Sequence, residues 1–406
     1  MYDLACSFLY RPAAVSPTET TSHDVIACVV KREDVKIGDK SEYLPAFLIA
    51  ILSRIRVMQS KRTLFILFCC LCAIQLSAQP SPYITHVWEY MPAPGQFVNE
   101  LPEYTEGDDA EDMRQKAEEA IAYNAGHTIT LGGWGGYVVF SFDHEVQNVA
   151  GQTDLLVLGN AFYSDVTHPE NGGSSEPGVV YVSRDVNGNG TPDDPWYEIA
   201  GSEIASSNRN YRVTYFRPSA DHVRTPNATE SLVDTTYIYW RDINGATGYM
   251  AQNRYHLQSY FPLWLSDARL TFNGTLLPPN AMLYQEDGHT KYVMMNYAYG
   301  YADNHPNNTT AAEINLDWAV NAQGQPANLT GIHFVKVQTG THQQCGWIGE
   351  ISTEVNGASD LHVLRGGTAT YDVEAATPSP PKKVIRDGQL LIQHGGSMYT
   401  IIGLSR

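Results

Sequence analysis

Ten short runs rich in Val, Ile, Tyr, Phe and Thr follow one another between residues 137 and 355. They cover 137–142, 154–162, 178–184, 196–201 and 211–216, then 236–240, 268–274, 291–301, 332–340 and 349–355. Clusters of Gly, Asn, Asp and Pro punctuate the intervals. β-Branched and aromatic side chains suit a half-buried pleated surface, and the breakers suit turns. Short strands in quick succession predict an all-β fold, a β-sandwich or jelly-roll-like domain with long loops. One helix is expected in "DDAEDMRQKAEEAIAYNAG" (108–126). Acids fill its first turn, where the helix dipole favours them, and Gly126 can close it. That role accounts for Asp108, Asp109, Glu111 and Asp112 without a metal.

The N-terminal part predicts an address outside the cytoplasm. In "MQSKRTLFILFCCLCAIQLSAQP" (58–80), Lys61 and Arg62 precede an apolar run, and Leu76-Ser77-Ala78 offers small residues for cleavage. This is the layout of a secretory signal peptide over 58–78, too short for a permanent membrane span. Residues 1–57 then read as a spurious upstream extension. The mature chain would begin at Gln79, with a surface domain over 79–365. A Pro-rich linker (366–383, with "TPSPPKK" at its end) and a short tail element (384–406) follow. Five of the six Cys fall before residue 79, so Cys345 has no partner for an internal disulfide. The whole chain carries a net charge of −18, and residues 79–406, with 37 acids and 17 bases, carry −20. That balance argues against nucleic acid and anionic membranes as partners, and suits cations or neutral ligands.

The stretch "DVNGNGTPDD" (185–194) has the oxygen density of a calcium loop. With Asp185 at position 1, Asn187 and Asn189 fall at 3 and 5, and Gly190 at the sharp turn. Thr191 offers its carbonyl at 7 and Asp193 its carboxylate at 9. Position 12 is Trp196 rather than the bidentate Glu of an EF-hand, so Asp194 or Glu198 would have to close the shell. The bland alternative is an Asn/Gly turn between two strands.

Other constellations concern ligands. "NYAYGYADNHP" (296–306), read as a strand, puts Tyr297, Tyr299 and Tyr301 on one face, able to stack on a sugar or to fill a core. Asp303 and Asn304 would lie at its end. Asn160, Asp165, Glu170, Asn171 and Glu176 crowd a long polar loop of the kind that often carries binding. "GGWGG" (132–136) lacks the Lys and the strand-before-helix setting of a phosphate loop. Its small residues either let strands pack closely around Trp134 or expose the indole. No G-x-S-x-G or H-E-x-x-H occurs. Glu176, Glu350 and Asp317 are the acids that a glycosidase-like pair would draw on. Cys345 is expected to be buried.

Five blocks, "HTITLGGWGGYVVFSFDHEVQN", "LLVLGNAF", "SSEPGVVYVSRDVNGNG", "LDWAVNAQGQPANLTGIHFVKVQTG" and "CGWIGEISTEV", carry a family resemblance. Over about residues 83–365 the chain resembles secreted cell-surface proteins of Bacteroidetes, often labelled only as cell-surface or PKD-domain-containing proteins. The tail from Lys383 resembles short C-terminal tails of secreted Bacteroidetes proteins. The resemblance implies a surface-exposed β-sandwich without an established activity. Some relatives lie beside outer-membrane uptake systems, including corrinoid transport. The leading expectation is a calcium-stabilised surface protein that binds a glycan or another small-molecule nutrient, in the company of outer-membrane uptake proteins. The alternatives are an extracellular glycosidase-like hydrolase, a corrinoid-uptake accessory protein and a purely structural surface protein.

Overall fold

The structure, a computed structural model, describes residues 79–286, 289–366, 382–386, 389–394 and 397–400. The expected extension (1–57), the signal peptide (58–78) and linker residues 367–381 lie outside the described residues.

The fold is all-β and sandwich-like, built from antiparallel sheets. The largest sheet runs His86–Met91, Tyr137–Gln147, Gly331–Thr339, Gly178–Ser183, Trp196–Ile199 and Ala319–Val320, with Tyr301–Ala302 also paired to Gly178–Ser183. Its central strand is the last of these in sequence. Register sets Val335 opposite Phe140 and Val182, and Val337 opposite Val138 and Val180. Paired residues share a face, so these side chains form one buried apolar layer. The helix Ala110–Ile121 packs into that layer through Met113, Ala117, Ala120 and Ile121. Asp109 caps it, accepting from the backbone N–H of Glu111 and Asp112, and Asp112 returns a bond to the Asp109 N–H. This is the capping role expected of the acidic first turn. A small sheet of Glu313–Ile314, Leu155–Leu158 and Gly357–Asp360 adds Leu155, Val157, Ile314 and Ala358 to the same core.

The second large sheet is ordered Thr247–Asn253, Leu232–Asp242, Asn208–Phe216 and Arg269–Leu276. Tyr211, Val213, Tyr215, Leu270 and Phe272 turn inward and pack with Met91 and Tyr137 of the first sheet. Trp134 fills the centre of this layer, fully buried, with its indole N–H donating to the Thr275 carbonyl at 3.2 Å. The flanking glycines admit it. Gly132 (φ +66°) and Gly135 (φ +94°) hold left-handed backbone, and a Cβ on them would fall 1.9 Å from the Ala93 carbonyl oxygen and 2.4 Å from Phe272 Cβ. Close packing, rather than an exposed indole, is therefore the role of "GGWGG".

Residues 382–400 contribute three short antiparallel strands, with Arg386 opposite Gln389 and His394 opposite Ser397. Two expected strands are shorter than their sequence pattern. The run 291–301 pairs only as far as Met294 (His289–Met294) and resumes at Tyr301–Ala302. Gly300 turns the chain with φ +90°, and Asn304 holds both the N–H and the carbonyl of Tyr297. The run 349–355 forms a strand only at Glu354–Val355, with Glu350 in an isolated bridge to Gln344, because Gly346 and Gly349 (φ +51° and +101°) turn the chain at its start. Conversely, His86–Met91 and Thr247–Asn253 form strands where no regular element was expected.

Gln338, 1% exposed, pins the two sheets together. Its amide donates to the carbonyls of Gly135 (2.8 Å) and Asn273 (3.1 Å). Gln338→Leu leaves the buried Gly135 carbonyl and the partly buried Asn273 carbonyl without that donor. It is expected to lower unfolding stability by about 1–3 kcal/mol, the usual cost of an unsatisfied buried group. Urea titration checks this; a loss indistinguishable from that of an exposed substitution such as Val166→Ala would exclude the pinning role.

Candidate functional site

The loop 185–194 connects two antiparallel strands, with Ser183 opposite Trp196. Left-handed Gly188 and Gly190 (φ +72° and +74°) coil it. Asp185 accepts backbone N–H bonds from Gly188 (2.7 Å), Asn189 (3.2 Å) and Gly190 (2.9 Å). The side-chain amides of Asn187 and Asn189 both donate to Asp193, each at 3.0 Å. These bonds hold the Asp193 carboxyl below its ordinary range, the one from Asn187 first. Asn187, Asn189 and Asp193 thus meet within one short loop. Thr191 turns its carbonyl to the Asp193 N–H at 2.9 Å. Of the two closing candidates, Asp194 accepts from the Val186 N–H at the loop, whereas Glu198 faces the sheet interface and binds Arg209 and Thr275. Oxygen ligation of a hard cation would need the two amide groups to present Oδ1 rather than Nδ2 to Asp193.

A second acidic group escaped the sequence reading. Glu176, Asp303 and Glu354 place one carboxylate oxygen each within 4.8 Å of one another, and the residues are 6%, 3% and 1% exposed. Asp303 follows the strand Tyr301–Ala302 with φ +50°. Its carboxylate accepts from the N–H groups of Asn160 (2.7 Å), Ala161 (2.8 Å) and Glu354 (3.0 Å). Its carbonyl accepts from the Glu176 N–H at 2.9 Å, so Asp303 gathers these segments through both its side chain and its backbone. Ser352 and Asn160 donate to the two oxygens of Glu354. That bond uses the Asn160 amide nitrogen; its Oδ1 is buried with no hydrogen-bond partner. Oxygens bound to one calcium at about 2.3–2.6 Å lie at most about 5 Å apart, so the triad and the Asn160 carbonyl form a donor set that suits a hard cation.

The expected ligand residues take different places. Asn160 and Asp303 belong to this interior group. Asn304 is fully buried, accepting from Ser175 and the Tyr297 N–H. Tyr297 and Tyr301 pack edge to face at 5.2 Å inside a small core with Val179 and Leu277. The Tyr301 hydroxyl accepts from the Glu203 N–H, and the Tyr297 hydroxyl donates to the Pro278 carbonyl. Tyr299 alone of the three is open, 41% exposed, beside Trp318. Trp134 is in the core, as described. Of the two alternatives for this row, the core takes Tyr297 and Tyr301; the strand breaks after Met294, so the three tyrosines do not line one strand face. Cys345 is buried as expected, and burial pushes its thiol up to about 12.

The hydrolase candidates are also internal. Glu350, 3% exposed, accepts from the Gln96 N–H at 2.5 Å through one oxygen, and its other oxygen is buried without a partner. Burial, with the Glu176 charge adding to it, pushes its carboxyl up to about 8. It faces a cavity of about 90 Å³ lined also by Trp134, Trp240 and His342, and burial holds His342 down at about 4. At neutral pH both groups are uncharged. Such a volume holds about three waters, not a sugar ring. Asp317 is exposed elsewhere, accepting from Asn148. A concavity of about 440 Å³ opens instead on the outer face of the second sheet, where Arg212, Arg241 and Arg269 surround Thr214 and Thr271. No protein-family model matches the chain, and no curated protein matches it.

Because Glu350 is raised in the folded state above its ordinary 4.5, folding binds a proton that the unfolded chain releases. Its contribution is fully present below 4.5 and is lost as pH rises towards 8. Glu350→Gln keeps the oxygen for Gln96 but removes the proton uptake. Urea midpoints measured from pH 4.5 to 8.5 should fall with pH in the wild type and fall less in the variant. Parallel profiles would mean that Glu350 is ionised in the folded protein.

Proposed function

We propose that the chain acts outside the cytoplasm as a calcium-stabilised surface protein that binds a glycan or related nutrient without altering it. The observation that carries this reading is the division between buried acids and an open face. Glu176 and Glu350 are 6% and 3% exposed, beyond the reach of a substrate. The open concavity has one carboxylate, Asp242, and that side chain is tied to the Asn244 and Ala246 N–H groups of its own turn. A glycosidase needs two accessible acids flanking the scissile bond. A binding face on a rigid sheet needs only side chains fixed in register. The signal-peptide layout and the resemblance to secreted Bacteroidetes proteins support the location, and their uptake-gene neighbourhoods support nutrient capture by association.

Calcium enters through the two oxygen-rich groups. Ligation that favours the folded state stabilises by about 2.7 kcal/mol at a hundredfold excess over Kd. EDTA is expected to lower the Tm of the 79–406 protein, and added calcium to restore it. Asp185→Ala should remove the calcium-dependent part carried by the loop, and Glu354→Gln the part carried by the buried triad. A wild-type Tm indifferent to EDTA and calcium would remove the metal from the reading.

The function is tested by incubating the protein with a panel of glycans. Retention on the glycan with no new reducing ends is expected. Turnover that Glu176→Gln or Glu350→Gln abolishes would make the protein a hydrolase.

A further inference from the structure

The outer face of the second sheet carries a charge pattern opposite to that of the chain. Register fixes which side chains share this face. Arg241 lies opposite Thr214 and Thr247, and Thr271 also lies opposite Thr214. One step along, Phe216 lies opposite Arg269, and Tyr239 opposite Tyr249. One step the other way, Arg212 lies opposite Asn273. The three arginines therefore stand on three adjacent strands at three successive levels. They are exposed, and none makes a side-chain hydrogen bond or ion pair with another described residue.

A face without a ligand would be expected to pair such charges, since the chain has 44 acids to 26 bases. Strands about 4.8 Å apart, with about 6.8 Å between successive outward residues, put the arginine Cα atoms roughly 8, 12 and 14 Å from one another. This spread fits an extended ligand with sparse negative charges, one engaging each arginine. Beside the arginines run aromatics: Phe216 and Tyr239 have ring centroids 5.3 Å apart, and Tyr239 and Tyr249 5.6 Å. Tyr249 is 48% exposed. Aromatic faces take the apolar side of a sugar ring, and threonine hydroxyls its hydroxyl groups. The concavity of about 440 Å³ is within the range of small-ligand sites.

We infer that this sheet face binds an acidic oligosaccharide, one bearing carboxylates or sulfates along its length, through Arg212, Arg241 and Arg269. This rests on the reading of the protein as a glycan-binding module and names the class of glycan. A nucleic acid fits less well, because its charges are dense and the rest of the chain repels them.

The test is calorimetry on the 79–406 protein with oligogalacturonate and chondroitin sulfate oligosaccharides, alongside neutral dextran and xylan oligosaccharides and a short single-stranded oligonucleotide. Acidic oligosaccharides are expected to bind, and more weakly at 300 mM than at 50 mM NaCl. Each single Arg→Ala change should weaken binding about tenfold, the scale of one lost charged hydrogen bond. The triple variant should lose it. Since all three side chains are exposed, the Tm of each variant should match the wild type. Tighter binding of the oligonucleotide would overturn the assignment. So would acidic affinity that survives in the triple variant. If only neutral glycans bind, the acidic-ligand inference falls and the binding-module reading stands. If nothing on the panel binds, both fall.

Discussion

Pairing of Gly331–Thr339 on both of its edges is the contact on which the rest of the molecule depends. This strand comes late in the chain, yet it separates Tyr137–Gln147 from Gly178–Ser183. Its Val335 and Val337 complete the apolar layer under the helix, and its Phe334, Lys336 and Gln338 face the other way. The sheet cannot close, nor the second sheet find its platform, until the strand is in place. Most stabilising contacts are therefore far apart in sequence, which is the costly route to a β-sandwich. Lys336 shows how a charge is tolerated on that platform. Its amine lies 3.9 Å from the centre of the Tyr137 ring and 5.8 Å from that of Tyr181, and burial pushes its pKa down while Glu89 partly opposes the shift. The aromatic faces replace part of the lost hydration.

Polar groups organise the interior as much as apolar ones do. One carboxylate, that of Asp303, receives three backbone N–H groups from two separate segments. Asn304 does the same for the turn at Tyr297. Left-handed backbone at Asp303 lets consecutive side chains point to different partners. Buried polar networks of this kind favour a single packing, because any slip would strand a buried donor. That explains why Asn304, polar enough for a binding site, sits wholly inside the fold.

How far this was legible in the sequence follows from range. Runs rich in β-branched and aromatic residues at 137–142, 178–184 and 332–340 mark strands because composition acts locally, and the acidic start of the helix marks its N-terminus. The loop 185–194 is a local pattern too: the side chains of Asn187 and Asn189 meet Asp193, while Asp185 binds the backbone N–H groups of residues 188–190. The Tyr297, Tyr299 and Tyr301 pattern misleads because a left-handed Gly300 and the Asn304 side chain interrupt the strand, and neither leaves a mark on hydrophobic periodicity. The triad is invisible for another reason. Glu176, Asp303 and Glu354 come from three distant segments, and only sheet topology joins them. Glu354 sits in the mixed run "GEISTEV" (349–355), whose pattern gives no sign that its carboxyl is buried.

Whole-chain charge is a similarly coarse guide. A net charge of −18 describes an average over 406 residues, whereas a ligand at a surface responds to charges within a Debye length, about 8 Å at physiological salt. Register places Arg212, Arg241 and Arg269 on one outward face because each falls at the correct parity in its own strand. A shift of one residue in any of these strands would send its arginine into the aromatic core. The same alternation that buries Tyr211, Val213 and Tyr215 therefore presents Arg212 and Thr214 to solvent. The positive face is thus a direct consequence of the packing that holds the second sheet on the first.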